Sequence, residues 1–192
     1  MKTAAPWTLS DSLSGTRTRG WMALGSLLFA VLTAAAAAVS FPLPFSPVPV
    51  TLQTFAVLLA GSMLGPVWGP VSQLLYLAAG VAGMPVFANG GAGLGSIAGP
   101  TGGYLVGFVP AAWLMGLLAR PGASWGRIAL GLAVANLALF ACGVGHLMLF
   151  VGRSATLAVE LGFFPFIPGM IAKGAATGAL IRSRRVSGWF LS

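Results

Sequence analysis

"TLQTFAVLLAGSMLGPVWGPVSQLLYLAAGVAGM" occupies residues 51–84 and carries no charged side chain. A helix crosses a bilayer in about 20 apolar residues. At ~1.5 Å per residue, this 34-residue run is too long for one crossing. Gly65-Pro66 lies near its middle, and the residue before a proline avoids the helical region. The stretch therefore predicts two spans, 51–64 and 66–82, joined by a very short turn.

Four further spans follow from the flanking sequence, at 20–40, 104–119, 126–151 and 166–181. The expectation is an all-α integral membrane bundle of six transmembrane helices, residues 20–184, between tails at 1–19 and 185–192. The totals agree. The chain of 192 residues is 57% hydrophobic and 6% charged, against about 25% charged in soluble domains. So little charge cannot cover a water-facing surface.

The net charge of +8 is spread between and beside apolar runs, without the one-sided basic patch that nucleic acid needs. Six spans put Lys2, Arg17, Arg19, Arg120, Arg127, Arg182, Arg184 and Arg185 on the side of the termini. Only Arg153 and Lys173 fall on the other. Positive residues collect in the cytoplasm, so both termini are expected there. Residues 34–40, after Arg17 and Arg19, have the small-residue character of a signal-peptide cleavage site, but cleavage would leave an odd number of spans.

Three irregular segments then share the extracytoplasmic end. In 41–55, Pro42, Pro44, Pro47 and Pro49 fix φ and remove donors, so this is a stiff extended plug. Residues 83–105 are glycine-rich, and 160–174 carry two prolines before Lys173. Non-helical backbone at a membrane survives where it lines a cavity, and broken helices build transporter sites in this way. Residues 93–98 match G-x-G-x-x-A, but no strand precedes them and no acid follows at the required distance. No lysine completes a Walker loop, so the chain cannot hydrolyse ATP by that route.

Few polar groups remain as candidates. Lys173 either snorkels or pairs with an anionic ligand. Asn89 is a turn residue tolerating positive φ or a ligand-facing amide. Thr51 is a helix cap or a pocket residue, and Gln53 is expected in the pocket. Phe45, Phe87, Phe164 and Tyr104 are pocket walls or interfacial belt residues. Cys142 and His146 are spaced i, i+4, but two ligands make no zinc site; they are read as packing or interhelical hydrogen bonding. Asp11 and Glu160 are the only acids, so no carboxylate pair exists. The sequence speaks for a carrier or binder, with no metal and no cofactor. A lipid-modifying membrane enzyme and a purely structural subunit are the rival classes.

"PLPFSPVPVTLQTF" (42–55), "GMPVFANGGAG" (83–93), "GPTGGYLVGF" (99–108) and "FPFIPGMIAK" (164–173) together resemble the BioY family over about residues 22–184. BioY proteins are the biotin-capturing S components of energy-coupling factor (ECF) transporters. The resemblance implies biotin as ligand, and a transmembrane T component and two ATPase subunits as partners in the cell membrane. It makes Gln53, Asn89, Tyr104 and Lys173 candidate biotin contacts. It also makes the ridge Ala30, Ala34, Ala38 a docking face for the T component, since small residues let helices approach closely in lipid. One departure stands out: where the family usually has an acid, this chain has Met170. An S component for another small vitamin is the alternative within the class.

Overall fold

The computed structural model describes residues 16–182; the expected tails lie largely outside these. The elements run α1 (Thr16–Ala38), β1 (Ser40–Leu43), β2 (Ser46–Thr51), α2 (Gln53–Val81), α3 (Gly93–Ala98), α4 (Gly102–Leu118), α5 (Trp125–Leu147), α6 (Ala155–Gly162) and α7 (Ile167–Arg182). Single 3₁₀ turns occupy Ala88–Gly90 and Phe164–Phe166. Four helical stretches, Arg19–Ala38, Gln53–Val81, Trp125–Leu147 and Ala155–Arg182, are long and apolar enough to cross a membrane; α4 is a shorter apolar helix. The molecule is a mostly helical, multi-pass membrane protein.

The long apolar run of residues 51–84 folds back on itself. Gly65 breaks α2 with φ 79° and ψ −174°, a conformation open essentially to glycine. Beyond it the chain reverses. A Cβ on Gly69 would stand 2.8 Å from the Cα of Gly61, whereas residues eight apart in a straight helix are separated by about 12 Å. At the far ends of the two arms, Gln53 Nε2 donates to Tyr76 Oη, which in turn donates to Val86 O at 3.1 Å. Pro66 begins the second arm, where its missing N–H is not needed.

Helix α4 lies against this hairpin. A Cβ on Gly61 would overlap the carbonyl of Ala112, and one on Gly116 would stand 2.5 Å from the carbonyl carbon of Gly65. Glycine lets backbones approach in lipid, where association rests on packing. Val57, Leu58, Tyr76, Ala111, Ala112 and Met115 fill the core along this contact. Thr33 and Gln73 meet at 3.5 Å between α1 and the second arm, and Ser26 Oγ donates to Trp68 O at 3.0 Å.

The all-α expectation needs one correction. The proline-rich segment is extended, as expected, but it pairs with itself as an antiparallel ribbon, Ser40 opposite Thr51 and Phe41 opposite Val50. Both strands of a two-stranded ribbon are edges, and edge strands tolerate proline. Ser46 Oγ donates to Leu161 O at 2.8 Å and ties the ribbon to α6.

The Gly61 contact is testable. Gly61→Ala sets a methyl group against backbone that cannot swing away and should cost about 1–3 kcal/mol. A lowered melting temperature in detergent is the expected outcome. Gly126→Ala, with open space at its Cβ, should leave the temperature unchanged; equal behaviour of the two variants would refute the packing argument.

Candidate functional site

A cavity of about 280 Å³ opens among the irregular segments. That is close to the lower end of the ~300–1,000 Å³ of small-molecule pockets. The ribbon gives one wall through Pro47, Val48 and Pro49. The 83–101 segment gives another through Phe87, Asn89, Ser96 and Thr101. Tyr104, Leu105 and Phe108 enter from α4, Leu139 and Phe140 from α5, and Phe166 and Lys173 from the last segment.

Six of the eight expected pocket residues meet here: Thr51, Gln53, Phe87, Asn89, Tyr104 and Lys173 all line the cavity. Lys173 Nζ donates to Thr51 O at 2.9 Å. The half-buried ammonium therefore has a backbone partner at the cavity wall and retains two donors. Its helical position is braced one turn on, where Thr177 Oγ1 donates to Lys173 O at 2.8 Å. Asn89 has the turn geometry of the first reading offered for it. Its φ of 56° is left-handed, and its Oδ1 accepts from Ser40 Oγ at 2.7 Å, which leaves the amide donors for other partners.

Gln53 is buried, and one N–H of its Nε2 goes to Tyr76, which positions the amide and leaves its second N–H and its Oε1. Tyr104 Oη donates to Gly162 O at 2.7 Å, so its ring, not its hydroxyl, faces the cavity side. That ring meets Phe140 edge-on at 6.1 Å and lies 6.3 Å from Phe166, which makes an aromatic wall.

Phe45 and Phe164 do not line the cavity; they are 58% and 56% exposed. Phe45 sits in the ribbon turn and Phe164 opens a 3₁₀ turn, positions at which side chains point outward. Phe166, two residues further on, takes the inward place expected of Phe164. Phe140, Phe108 and Leu139 were missed because they lie on uniformly apolar helices whose sequence marks no face. The docking ridge is also split. Ala30 is buried in the core, Ala34 is half-buried against it, and only Ala38 is exposed.

His146 Nε2 lies 3.1 Å from Gly99 O and joins α5 to the end of the glycine-rich segment. No group of three His, Cys, Asp or Glu side chains gathers among the described residues. The arrangement offers an apolar, aromatic-walled cleft, one cation and a few amides and hydroxyls. This is equipment for binding.

Known proteins resemble this chain. The chain is 39% identical over 141 residues, 73% of its length, to the biotin transporter BioY of Thermotoga maritima, of which it covers 81%. It is 41% identical to the probable biotin transporter BioY of Pyrococcus horikoshii, over 82% of this chain and 91% of that one. Its fold matches the crystal structure of the S-component for biotin from an ECF-type ABC transporter, with a TM-score of 0.79 over 87% of this chain and 92% of that one, at 23% identity. The BioY family model spans residues 10–188. With the break at Gly65, the ribbon and the aromatic-walled cleft all inside that span, the chain belongs to the BioY family.

Proposed function

We propose that this protein captures biotin for uptake, as the membrane-embedded S component of an ECF-type transporter. The observation that carries the reading is the cavity itself. The ribbon, the glycine-rich segment, α4 and α7 each contribute to it a stretch that resembles BioY, and the relatives named above are biotin transporters. Biotin has an apolar bicyclic body with a ureido edge and a valeryl carboxylate. The cleft supplies aromatic rings for the first, and amides and one ammonium for the polar ends. A binder of this kind is no enzyme. The chain has no Walker motif, so energy for transport comes from partners, a T component and two ATPase subunits.

The reading includes six crossings with both termini in the cytoplasm. The reversal at Gly65, counted with α1, α4, α5 and α7, supports that number, and the eight-to-two division of basic residues supports the orientation. In a Cys142→Ser background, cysteines at positions 46 and 92 should react with membrane-impermeant reagents from outside, and one at 188 only from the cytoplasmic side. Labelling of 188 from outside would make the number of crossings odd.

For the T component we retain the small-residue strip of α1, restricted to the part that is not interior. Ala38→Trp should abolish co-purification with the T component while biotin titration stays unchanged. Ala34→Trp, which presses on the core, should lower stability as well. Assembly surviving Ala38→Trp would move docking to another helix.

Lys173 decides polar recognition. A hydrogen bond to a charged group contributes about 1.5–3 kcal/mol, and about 1.4 kcal/mol is a factor of ten. Lys173→Met keeps the apolar stem and should weaken biotin binding roughly ten- to a hundredfold by calorimetric titration, with folding intact. Unchanged affinity would mean that the lysine only serves Thr51.

A further inference from the structure

Helices α5 and α7 pack antiparallel in a register that their contacts fix. The rings of Phe140 and Phe166 lie 6.1 Å apart. A Cβ on Gly174 would stand 3.8 Å from Leu132 Cδ1, and one on Gly178 would stand 3.5 Å from Ile128 Cγ2. Leu132 Cδ1 is also 4.0 Å from a Cβ on Gly178, so Leu132 stands between the two glycines. Between this contact and the Phe140–Phe166 pair, α5 carries Asn136 and α7 carries Met170. Phe140 and Phe166 line the cavity, so Asn136 lies one helical turn beneath it.

Asn136 is 6% exposed. Its Nδ2 donates back to Leu132 O at 2.7 Å, and its Oδ1 is buried with no hydrogen-bond partner. An unpaired carbonyl oxygen inside a membrane bundle is costly, and polar groups retained there tend to serve function. One layer further down, a Cβ on buried Gly174 would meet only Leu132 within 4 Å. Met170, at the level of Asn136, has a flexible thioether side chain that can move aside.

We propose that Asn136 is a specificity-determining residue of the pocket: its Oδ1 accepts a hydrogen bond from an N–H of the ligand's ring when that ring settles into the α5–α7 layer. The inference rests on the biotin reading above. It orients the ligand, with the ureido edge deep and the carboxylate toward the wetter mouth. It also supplies from α5 an acceptor that Met170 does not provide on α7.

The test pairs two variants with modified ligands. Wild-type protein is titrated with biotin and with biotin methylated at each ureido nitrogen in turn. At one nitrogen, methylation should weaken binding about tenfold, the range of one neutral hydrogen bond. Asn136→Leu should weaken biotin about tenfold, bind the methylated form as well as it binds biotin, and melt no lower than wild type, since an orphan oxygen has been removed. Asn136→Asp keeps an acceptor and should keep the discrimination. If Asn136→Leu binds biotin like wild type, or discriminates against methylation as wild type does, the assignment is overturned. Wild-type protein that binds no biotin at all would instead overturn the ligand reading.

Discussion

The reversal at Gly65 is the constraint on which the remaining architecture depends. A residue at φ 79° and ψ −174° turns one over-long apolar run into two antiparallel arms. Only glycine takes that conformation without strain. The arms place Gln53 and Tyr76 side by side at the other end, where Tyr76 reaches Val86. Gln53 and Tyr76 are buried, so little water competes with this chain of hydrogen bonds, and the start of the glycine-rich segment is held to the base of the ribbon. The cavity exists because both of these segments are anchored at the same end of the hairpin.

From that anchor the site is built by packing rather than by charge. Glycines at the α2–α4 contact bring backbones together, which sets the distance between the wall carrying Phe87 and the wall carrying Tyr104. Tyr104 gives up its hydroxyl to Gly162 and thereby fixes its ring among Phe140 and Phe166. Among the described residues Lys173 is the one cation at the cavity, and its tether to Thr51 O pulls the ammonium from α7 toward the ribbon. A ligand carboxylate would meet a donor already positioned, so little ordering entropy remains to oppose binding.

The polar atoms fall into two groups. Tyr76, Ser46 and His146 make hydrogen bonds within the protein and hold the shape, as Gln53 does through one N–H of Nε2. Asn89 and Lys173 keep spare donors at the cavity, and Asn136 keeps a spare acceptor below it. Ser62 Oγ and Trp68 Nε1 are buried and unpaired as well, away from the cavity; what sets Asn136 apart is its place one turn below the cavity-lining Phe140.

Sequence alone determined the number of apolar runs, the break at Gly65-Pro66 and the gathering of irregular segments at one end. The reason is length: a bilayer sets how many residues a helix needs, and proline and glycine say where a run must stop. It also brought Thr51, Gln53, Phe87, Asn89, Tyr104 and Lys173 together as candidates, since polar and aromatic residues next to irregular backbone are rare in so apolar a chain. Only the tertiary structure decided which faces look inward. Phe166 and Phe140 enter the cavity while Phe45 and Phe164 do not, Ala30 is interior, and the prolines form a paired ribbon. Helices here are apolar on the lipid side and on the buried side alike, so the periodicity that separates core from surface in water is absent. The rotation of each helix, and with it the level at which Asn136 meets α7, follows from contacts between segments distant in sequence.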